Sequence, residues 1–147
     1  MSKFIIPPVF VAIAVILIVV FYFVFPEFNY IPFPINILGL FFSFVGFSIM
    51  GKSRDLFKKY KTTLAIEKSS FFIQEGIFLK TRNPMYIGMV LLLLGLGICF
   101  RNIFSIMLPL IFFIITHCVF VRKEEKLMSE TFGEAYRDYK NKVKRWI

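Results

Sequence analysis

The chain has little of what marks a soluble enzyme or a secreted scaffold. Only 18% of its 147 residues are charged, and only two are cysteines. Two cysteines are too few to hold a disulfide-rich domain together. Since 58% of the residues are hydrophobic and the mean hydropathy is +0.74, a water-soluble monomer would expose more apolar surface than it can hide. The same composition excludes an intrinsically disordered chain.

Familiar catalytic patterns are missing too. The sequence has one histidine, His117, and neither a Ser-His-Asp order nor a Gly-rich phosphate loop. Because no second ligand accompanies the histidine, we expect no metal there and a buried, hydrogen-bonded role for its ring. Cys99 and Cys118 fall near opposite ends of neighbouring apolar runs, which makes a disulfide between them geometrically implausible.

Acidic residues are scarce as well. The chain has 9 of them against 18 basic residues, for a net charge of +9. On an apolar chain, this excess favours membrane lipids with anionic headgroups as partners and argues against nucleic acid.

Long uncharged runs dominate the sequence. They lie between Lys3 and Glu27, Glu27 and Lys52, Arg82 and Arg101, and Arg101 and Arg122. A helix that crosses a bilayer needs roughly 20 apolar residues. The sequence therefore predicts an all-α, polytopic membrane protein that forms a single domain over residues 1–147. The four predicted transmembrane helices cover about residues 5–25, 33–51, 84–100 and 103–121, and the first is a permanent span because no cleavage site follows it.

The basic residues predict the orientation. Segments 52–83 and 122–147 carry eight each, whereas the connection 28–35 carries none. Both segments and both termini are therefore predicted to be cytoplasmic, at the cell membrane if the source is prokaryotic. Arg101 and Asn102 leave almost no loop, so the last two spans should form a tight hairpin.

The second cytoplasmic segment predicts an amphipathic helix. Thr131 and Glu134 match a capping box, which indicates a helix start. Apolar residues then recur at steps of three and four, at Phe132, Tyr136, Tyr139, Val143 and Trp146. This C-terminal helix either lies beneath the bilayer at the interface or also covers a site formed by the two cytoplasmic segments.

Several motifs occur together in the second half of the chain. The third span is preceded by Glu75-Gly-Ile-Phe-Leu-Lys-Thr-Arg-Asn-Pro-Met-Tyr-Ile-Gly88. The fourth is followed by Arg122-Lys-Glu-Glu-Lys-Leu127, Phe132-Gly-Glu-Ala-Tyr136-Arg-Asp-Tyr139 and Val143-Lys-Arg-Trp146. In order and spacing, the region Ser70 to Trp146 closely resembles the isoprenylcysteine carboxyl methyltransferases and their phospholipid methyltransferase relatives. The resemblance implies a membrane enzyme that transfers a methyl group from S-adenosylmethionine to a lipophilic small molecule or a lipid-modified acceptor.

The resemblance also implies a cofactor site. Its residues would be Ser70, Phe71, Phe72, Ile73, Gly76, Phe78, Asn83, Pro84, Met85, Tyr86 and Glu124. Asn83 stands where the carboxyl methyltransferases have histidine, and Asn-Pro-Met-Tyr is the form seen in phosphatidylethanolamine methyltransferases. The family's substrate-linked arginine falls on Phe120 here, which leaves Arg122 as the nearest candidate.

The residue chemistry is compatible with such a site. Adjacent helical residues diverge by about 100°, so of Glu124 and Glu125 one should accept hydrogen bonds from the cofactor ammonium. The other should pair with a base, and for Glu125 that means Arg122 or a position near Ser129. The alternative is that both are solvated interfacial charges. Pro84 suits the first turn of the third span, whose free N–H groups would hold a carboxylate.

Two further positions have alternative interpretations. Tyr86 either contacts the cofactor or anchors the helix at the interface. Gly76 either gives the cofactor access to the backbone or forms a turn. Gly88, Gly95 and Gly97 are predicted to let spans three and four pack closely.

The hypothesis for the reaction is methyl transfer to a carboxylate. Arg122 or Arg82 would bind the acceptor, with Tyr136 and Tyr139 beside it, and an amine acceptor would need a base, which Glu125 or His117 would supply. The alternatives are a phospholipid N-methyltransferase, a non-enzymatic membrane protein that binds anionic lipid or a partner, and a fragment of an NADPH-dependent sterol-reductase-like fold. The sequence leaves the oligomeric state open.

Overall fold

A computed structural model describes residues 7–61 and 72–147. Its five α-helices within those ranges are α1 (Pro7–Val24), α2 (Leu38–Lys59), α3 (Pro84–Cys99), α4 (Ile103–Ile115) and α5 (Val121–Lys142). One wide π-helical turn, Thr116–Phe120, joins α4 to α5. The described residues contain no β-strand, so the predicted all-α class is confirmed.

Three helical stretches within the described residues are long and apolar enough to cross a membrane. They are Pro7–Val24, Ile35–Lys59 and Ile103–Lys142. The 16-residue α3 is apolar but shorter. Large apolar side chains on these helices point outward, and Phe44, for example, is 71% exposed. Such surfaces suit contact with lipid, whereas the number of crossings and their orientation stay predictions.

Helices α2 and α3 pack backbone against backbone. A Cβ atom at Gly46 would lie 2.6 Å from the carbonyl oxygen of Gly88, and one at Gly95 would lie 2.4 Å from that of Gly39. Without a Cβ atom these positions let the two helices approach closely, as small residues do in membrane helix pairs.

Two of the three predicted glycine contacts are therefore wrong. Gly88 and Gly95 face α2, not α4, because α2 offers small residues at matching heights. Gly97 does face α4, since a Cβ atom there would lie 2.8 Å from the carbonyl oxygen of Ser105. The sequence showed small residues in α3 but not which neighbour they meet.

The turn between α3 and α4 is anchored by a buried asparagine. Asn102 accepts a 3.0 Å hydrogen bond from the backbone N–H of Phe104, which caps α4. Its amide group donates to the carbonyl oxygens of Phe21 and Phe25 and to the side chain of Asn29, at 2.9–3.1 Å. The end of α1 is thereby fixed to the tight α3–α4 turn.

The predicted capping contact of Thr131 does not form, although the amphipathic part of the helix does begin after Gly133, within the predicted box. Helix α5 begins at Val121, and the hydroxyl of Thr131 donates to the carbonyl oxygen of Leu127, one turn back, instead of capping a new helix. The helix instead bends at Gly133, whose φ of 52° and ψ of −124° suit glycine. The bend redirects the remainder of α5.

The apolar stripe after this bend is buried inside the protein. Tyr136, Tyr139 and Val143 pack around Phe72, which comes from the segment before α3. The stripe therefore packs on the segment that precedes α3 instead of lying free at the membrane interface. This packing favours the interpretation of α5 as a cover over a site.

Candidate functional site

A cleft opens where the start of α3 faces α5. Its space of about 380 Å³ includes solvent at the open mouth, so the enclosed part is smaller. Its lining residues are Phe72, Ile73, Phe78, Arg82, Asn83, Glu124, Glu125, Met128, Tyr136 and Tyr139. All but Met128 are among the site residues that the sequence predicts. Two segments far apart in the chain thus meet at one site.

Tyr86 and Glu124 join α3 to α5 at this cleft. The Tyr86 hydroxyl, which is almost wholly buried, donates a 2.5 Å hydrogen bond to Glu124 Oε1. Charged residues begin at Arg122, so Glu124 lies beyond the apolar part of its helix. Burial raises the pKa of Glu124 to about 7, while the hydrogen bond from Tyr86 lowers it and the Glu125 carboxylate adds to the rise. Near neutral pH, this carboxyl therefore exists in both protonation states.

Glu125 is held by two arginines. Arg145 binds it with both branches of the guanidinium, Nε to Oε1 at 3.0 Å and Nη2 to Oε2 at 2.6 Å. Arg82 Nη1 lies 2.9 Å from Oε1. The prediction that Arg122 pairs with Glu125 is wrong. The Arg122 side chain is exposed to solvent and does not line the cleft. The Ser129 hydroxyl does lie nearby, but it donates to the backbone oxygen of Glu125.

Arg82 brings an unfilled hydrogen-bond donor to the cleft. Its side chain is only 10% exposed. The contact with Glu125 is an ion pair whose geometry does not align an N–H with the oxygen, and Arg82 Nε has no hydrogen-bond partner within the described residues. A buried guanidinium N–H without an acceptor is costly. An anionic group bound beside Arg82 would supply the missing acceptor.

Residues 143–146, termed the closing segment here, run along the start of α3. The carbonyl oxygen of Arg145 accepts hydrogen bonds from Thr81 Oγ1 at 3.1 Å and from Asn83 Nδ2 at 3.0 Å. The carbonyl oxygen of Lys144 accepts one from the backbone N–H of Arg82 at 3.0 Å. These hydrogen bonds fix the residues that precede α3 against the closing segment.

The closing segment also reaches the π turn. Trp146 Nε1 donates to His117 Nδ1 at 3.0 Å, and the two rings stack. The predicted hydrogen bond of His117 is therefore present, but its side chain is half-buried and not fully buried as predicted. Sequence reasoning missed Thr81 and Arg145, since a basic tail gives no signal of which arginine turns inward.

The helix start at the cleft is as predicted. Pro84 occupies the first turn of α3, and no side chain caps its N–H groups. The Tyr139 hydroxyl donates to the carbonyl oxygen of Phe78 at 2.6 Å, which holds the short 3₁₀ turn Gly76–Leu79 beneath the cover.

Some predicted site residues lie elsewhere. Ser70 and Phe71 are outside the described residues. Gly76 is exposed at a φ of 59° and opens the 3₁₀ turn, which favours its interpretation as a turn residue. Pro84 and Met85 are buried in α3 without lining the cleft. Their roles, like that of Arg122, stay predictions.

Comparisons with known proteins identify the family of the chain. The model of the phospholipid methyltransferase family matches residues 33–135, which is 103 of the 147 residues. An uncharacterized protein of Haemophilus influenzae is 32% identical over 63 residues, covering 43% of this chain and all of that protein. No solved structure matches the chain. The family match spans α2 to α4 and both glutamates of the cleft, and we conclude that the chain belongs to the phospholipid methyltransferase family of membrane methyltransferases.

Proposed function

We propose that this protein transfers a methyl group from S-adenosylmethionine to a lipophilic acceptor, in the manner of the isoprenylcysteine carboxyl methyltransferases. The observation that carries the proposal is the cleft itself. It combines a half-buried acid pair, Glu124 and Glu125, a half-buried arginine, Arg82, and an aromatic cover, at the end of a helix bundle whose outer surface is apolar.

The residues present fit this cofactor, which bears a sulfonium, an ammonium, a carboxylate and a flat adenine. Glu124 supplies a negative group for the ammonium. The aromatic faces of Phe72, Phe78 and Tyr136 suit adenine and a sulfonium, at about 0.5–2 kcal/mol for each cation–π contact. The uncapped N–H groups of α3 suit the carboxylate.

The bound cofactor would supply a methyl group on a good leaving group. The chain then has to hold the acceptor in line and exclude water. A carboxylate acceptor is already ionised at neutral pH, so no base is needed. Arg82 would bind it, with Arg122 as the alternative cation, and Tyr136 and Tyr139 would shield it from water.

The orientation follows from the same proposal. The cofactor would enter from the cytoplasm, and the acceptor tail would enter from the bilayer between the helices. Both termini and the basic segments would lie on the cytoplasmic side, next to anionic headgroups. The apolar outer faces of α1, α2 and α4 would contact lipid.

A second candidate is N-methylation of a phospholipid amine. An amine must lose a proton before it attacks, and in this candidate Glu124, with a pKa of about 7, would serve as the base instead of as the partner of the cofactor ammonium. The family match and Asn83 also favour this acceptor. Glu125 is less suited to act as the base because two arginines hold its carboxylate.

The test is labelling of native lipids. Purified protein is incubated with lipid extract and S-adenosylmethionine bearing a deuterated methyl group, and the labelled species is identified by mass spectrometry. We expect a labelled lipid that falls at least about a hundredfold in Glu124→Gln. Glu130→Gln is the matched control, because Glu130 lies on the same helix, 59% exposed, and should retain full activity.

The proposal would be contradicted if neither methyl transfer nor cofactor binding were detected. A wild-type protein that labels no lipid and binds no S-adenosylhomocysteine would be a non-enzymatic membrane protein. The fragmentation of the labelled product, which shows the group that retains the label, separates a methyl ester from a methylated amine.

A further inference from the structure

We propose that Arg145 is a positioning residue, which keeps Arg82 available to an anionic group of the acceptor by holding Glu125. The inference rests on the proposed function. It concerns a residue outside the matched region 33–135, and Arg145 does not itself line the cleft.

The geometry divides the two arginines by role. Glu125 is bound by Arg145 through two aligned hydrogen bonds, of 3.0 and 2.6 Å. Its contact with Arg82 is an ionic one without an aligned N–H, and Arg82 Nε has no acceptor within the described residues. A bidentate arginine–carboxylate pair is the stronger arrangement. The orientation of the Glu125 carboxylate is therefore set by Arg145. Arg82 also contacts the Tyr136 hydroxyl, and its Nε keeps an N–H without an acceptor.

The net charge at the cleft also supports a role for Arg145 in binding an anion. Arg82 and Glu125 alone would be a neutral pair, which attracts an anion weakly. With Arg145 the three groups carry a net charge of +1, which offsets the negative charge that ionised Glu124 brings to the same cleft. The Arg82 and Glu125 side chains are only 10% and 14% exposed, so screening there is limited. Without Arg145 the cleft would carry a net negative charge and repel an anion.

The position of Arg145 is fixed from both sides. Its carbonyl oxygen accepts hydrogen bonds from Thr81 and Asn83, on either side of Arg82. The next residue, Trp146, donates to His117. Arg145 is thus placed by the backbone that flanks Arg82, which couples the two guanidinium groups geometrically.

The ligand class that follows is an amphiphile with one anionic oxygen group near its polar end. A carboxylate and a phosphate ester both have this chemistry. An uncharged alcohol with the same tail lacks it, so a comparison of the three measures the contribution of charge separately from that of the apolar tail.

The experiment uses three pyrene-labelled amphiphiles with identical tails that end in a carboxylate, a phosphate ester or an alcohol. Their Kd values are measured by fluorescence on the full chain in neutral detergent. Arg145→Ala should raise the Kd of at least one anionic probe about tenfold and leave that of the alcohol within about twofold. The anionic probe with the larger change identifies the headgroup.

Two further variants separate positioning from folding. Arg145→Lys keeps the charge but not the bidentate grip, so it should recover part of the anion affinity. Arg137→Ala, which removes an exposed arginine paired with Glu134, should change none of the three Kd values. If Arg145→Ala fails to fold, Arg145→Lys carries the test, with a smaller loss confined to the anionic probes.

The proposal is overturned by equal losses for all three probes, which would show a purely structural role, or by no loss at all. S-adenosylhomocysteine binding is measured in parallel. If wild-type protein does not bind it but Arg145→Ala still loses anion selectivity, the proposed function fails while the anion site stands.

Discussion

At the residue scale, the Tyr86–Glu124 pair ties the site to pH. Burial raises the pKa of Glu124 to about 7, and the hydrogen bond from Tyr86 opposes that rise. A cationic ligand binds the ionised carboxylate, which is lost as the pH falls through 7. Donor binding should therefore weaken on the acid side, in a range where ordinary glutamates stay ionised.

We predict that S-adenosylhomocysteine binds about tenfold more weakly at pH 6 than at pH 8, since the ionised fraction of a group with a pKa of 7 changes by that factor. Calorimetric titration at both pH values measures this ratio. In Tyr86→Phe the midpoint should move above pH 7, because the hydrogen bond that lowers the pKa is gone. A pH ratio that persists in Glu124→Gln would assign the dependence to another group.

Sequence reasoning succeeded with residues whose chemistry is local. The Glu124–Glu125 step predicts that the two side chains diverge, and they do, one towards Tyr86 and the other towards two arginines. It failed for the partners of Glu125. An arginine 20 positions later is no more conspicuous than its basic neighbours, and only the folding of the closing segment selects it.

At the scale of elements, the α2–α3 contact depends on missing side chains. We predict that Gly46→Ala lowers the free energy of unfolding by about 2 kcal/mol, because its Cβ atom would lie 2.6 Å from the backbone of α3 and force the helices apart. Gly51→Ala in the same helix is the control. Nothing lies within 4 Å of its Cβ position, so it should be neutral or gain up to about 1 kcal/mol.

Thermal unfolding in detergent compares the two variants. Equal midpoints for Gly46→Ala and Gly51→Ala would mean that the helices can separate without cost. Helix positions were predictable because each uncharged run has a length suited to one helix. Pairing was not, since Gly88 and Gly95 fit α2 or α4 equally well until both surfaces are known.

The bend in α5 shows another limit of local pattern. Thr131 and Glu134 have the spacing of a helix start, but Thr131 lies in the last turn of a preceding helix, which is interrupted at Gly133. Gly133 then supplies a change of direction that periodicity alone does not reveal. The stripe at Tyr136 and Tyr139 was nevertheless identified correctly, because one apolar face must be buried wherever the helix points.

At the scale of the whole molecule, the two ends of α3 lie in different surroundings, one at the cleft and one at the turn to α4. Its first turn borders the cleft, and its last turn leads into Asn102. Sixteen residues separate the ends, about 24 Å at 1.5 Å per residue. Stability and ligand binding should therefore respond separately to changes at each end.

We predict that Asn102→Ala lowers the free energy of unfolding by about 1–3 kcal/mol, because it removes a helix cap and the donor to the Asn29 side-chain oxygen. The carbonyl oxygens of Phe21 and Phe25 also lose this donor but keep backbone donors. The thermal midpoint should fall, while S-adenosylhomocysteine binding below that midpoint stays unchanged. Asn141→Ala, at an exposed position, should alter neither. A parallel loss of affinity in Asn102→Ala would show that the two ends are coupled.

The wide turn Thr116–Phe120 determines which way the far half of its helix faces. A π turn accommodates one residue more than an α turn, so everything after it is rotated by about 100° relative to an unbroken α-helix. Shortened by a single residue there, the same helix would keep its apolar outer surface but aim Glu124 and Glu125 away from Tyr86 and Arg82. The rotation of the helix is thus set at a turn that lies outside the cleft, and it decides which charged side chains the cleft contains.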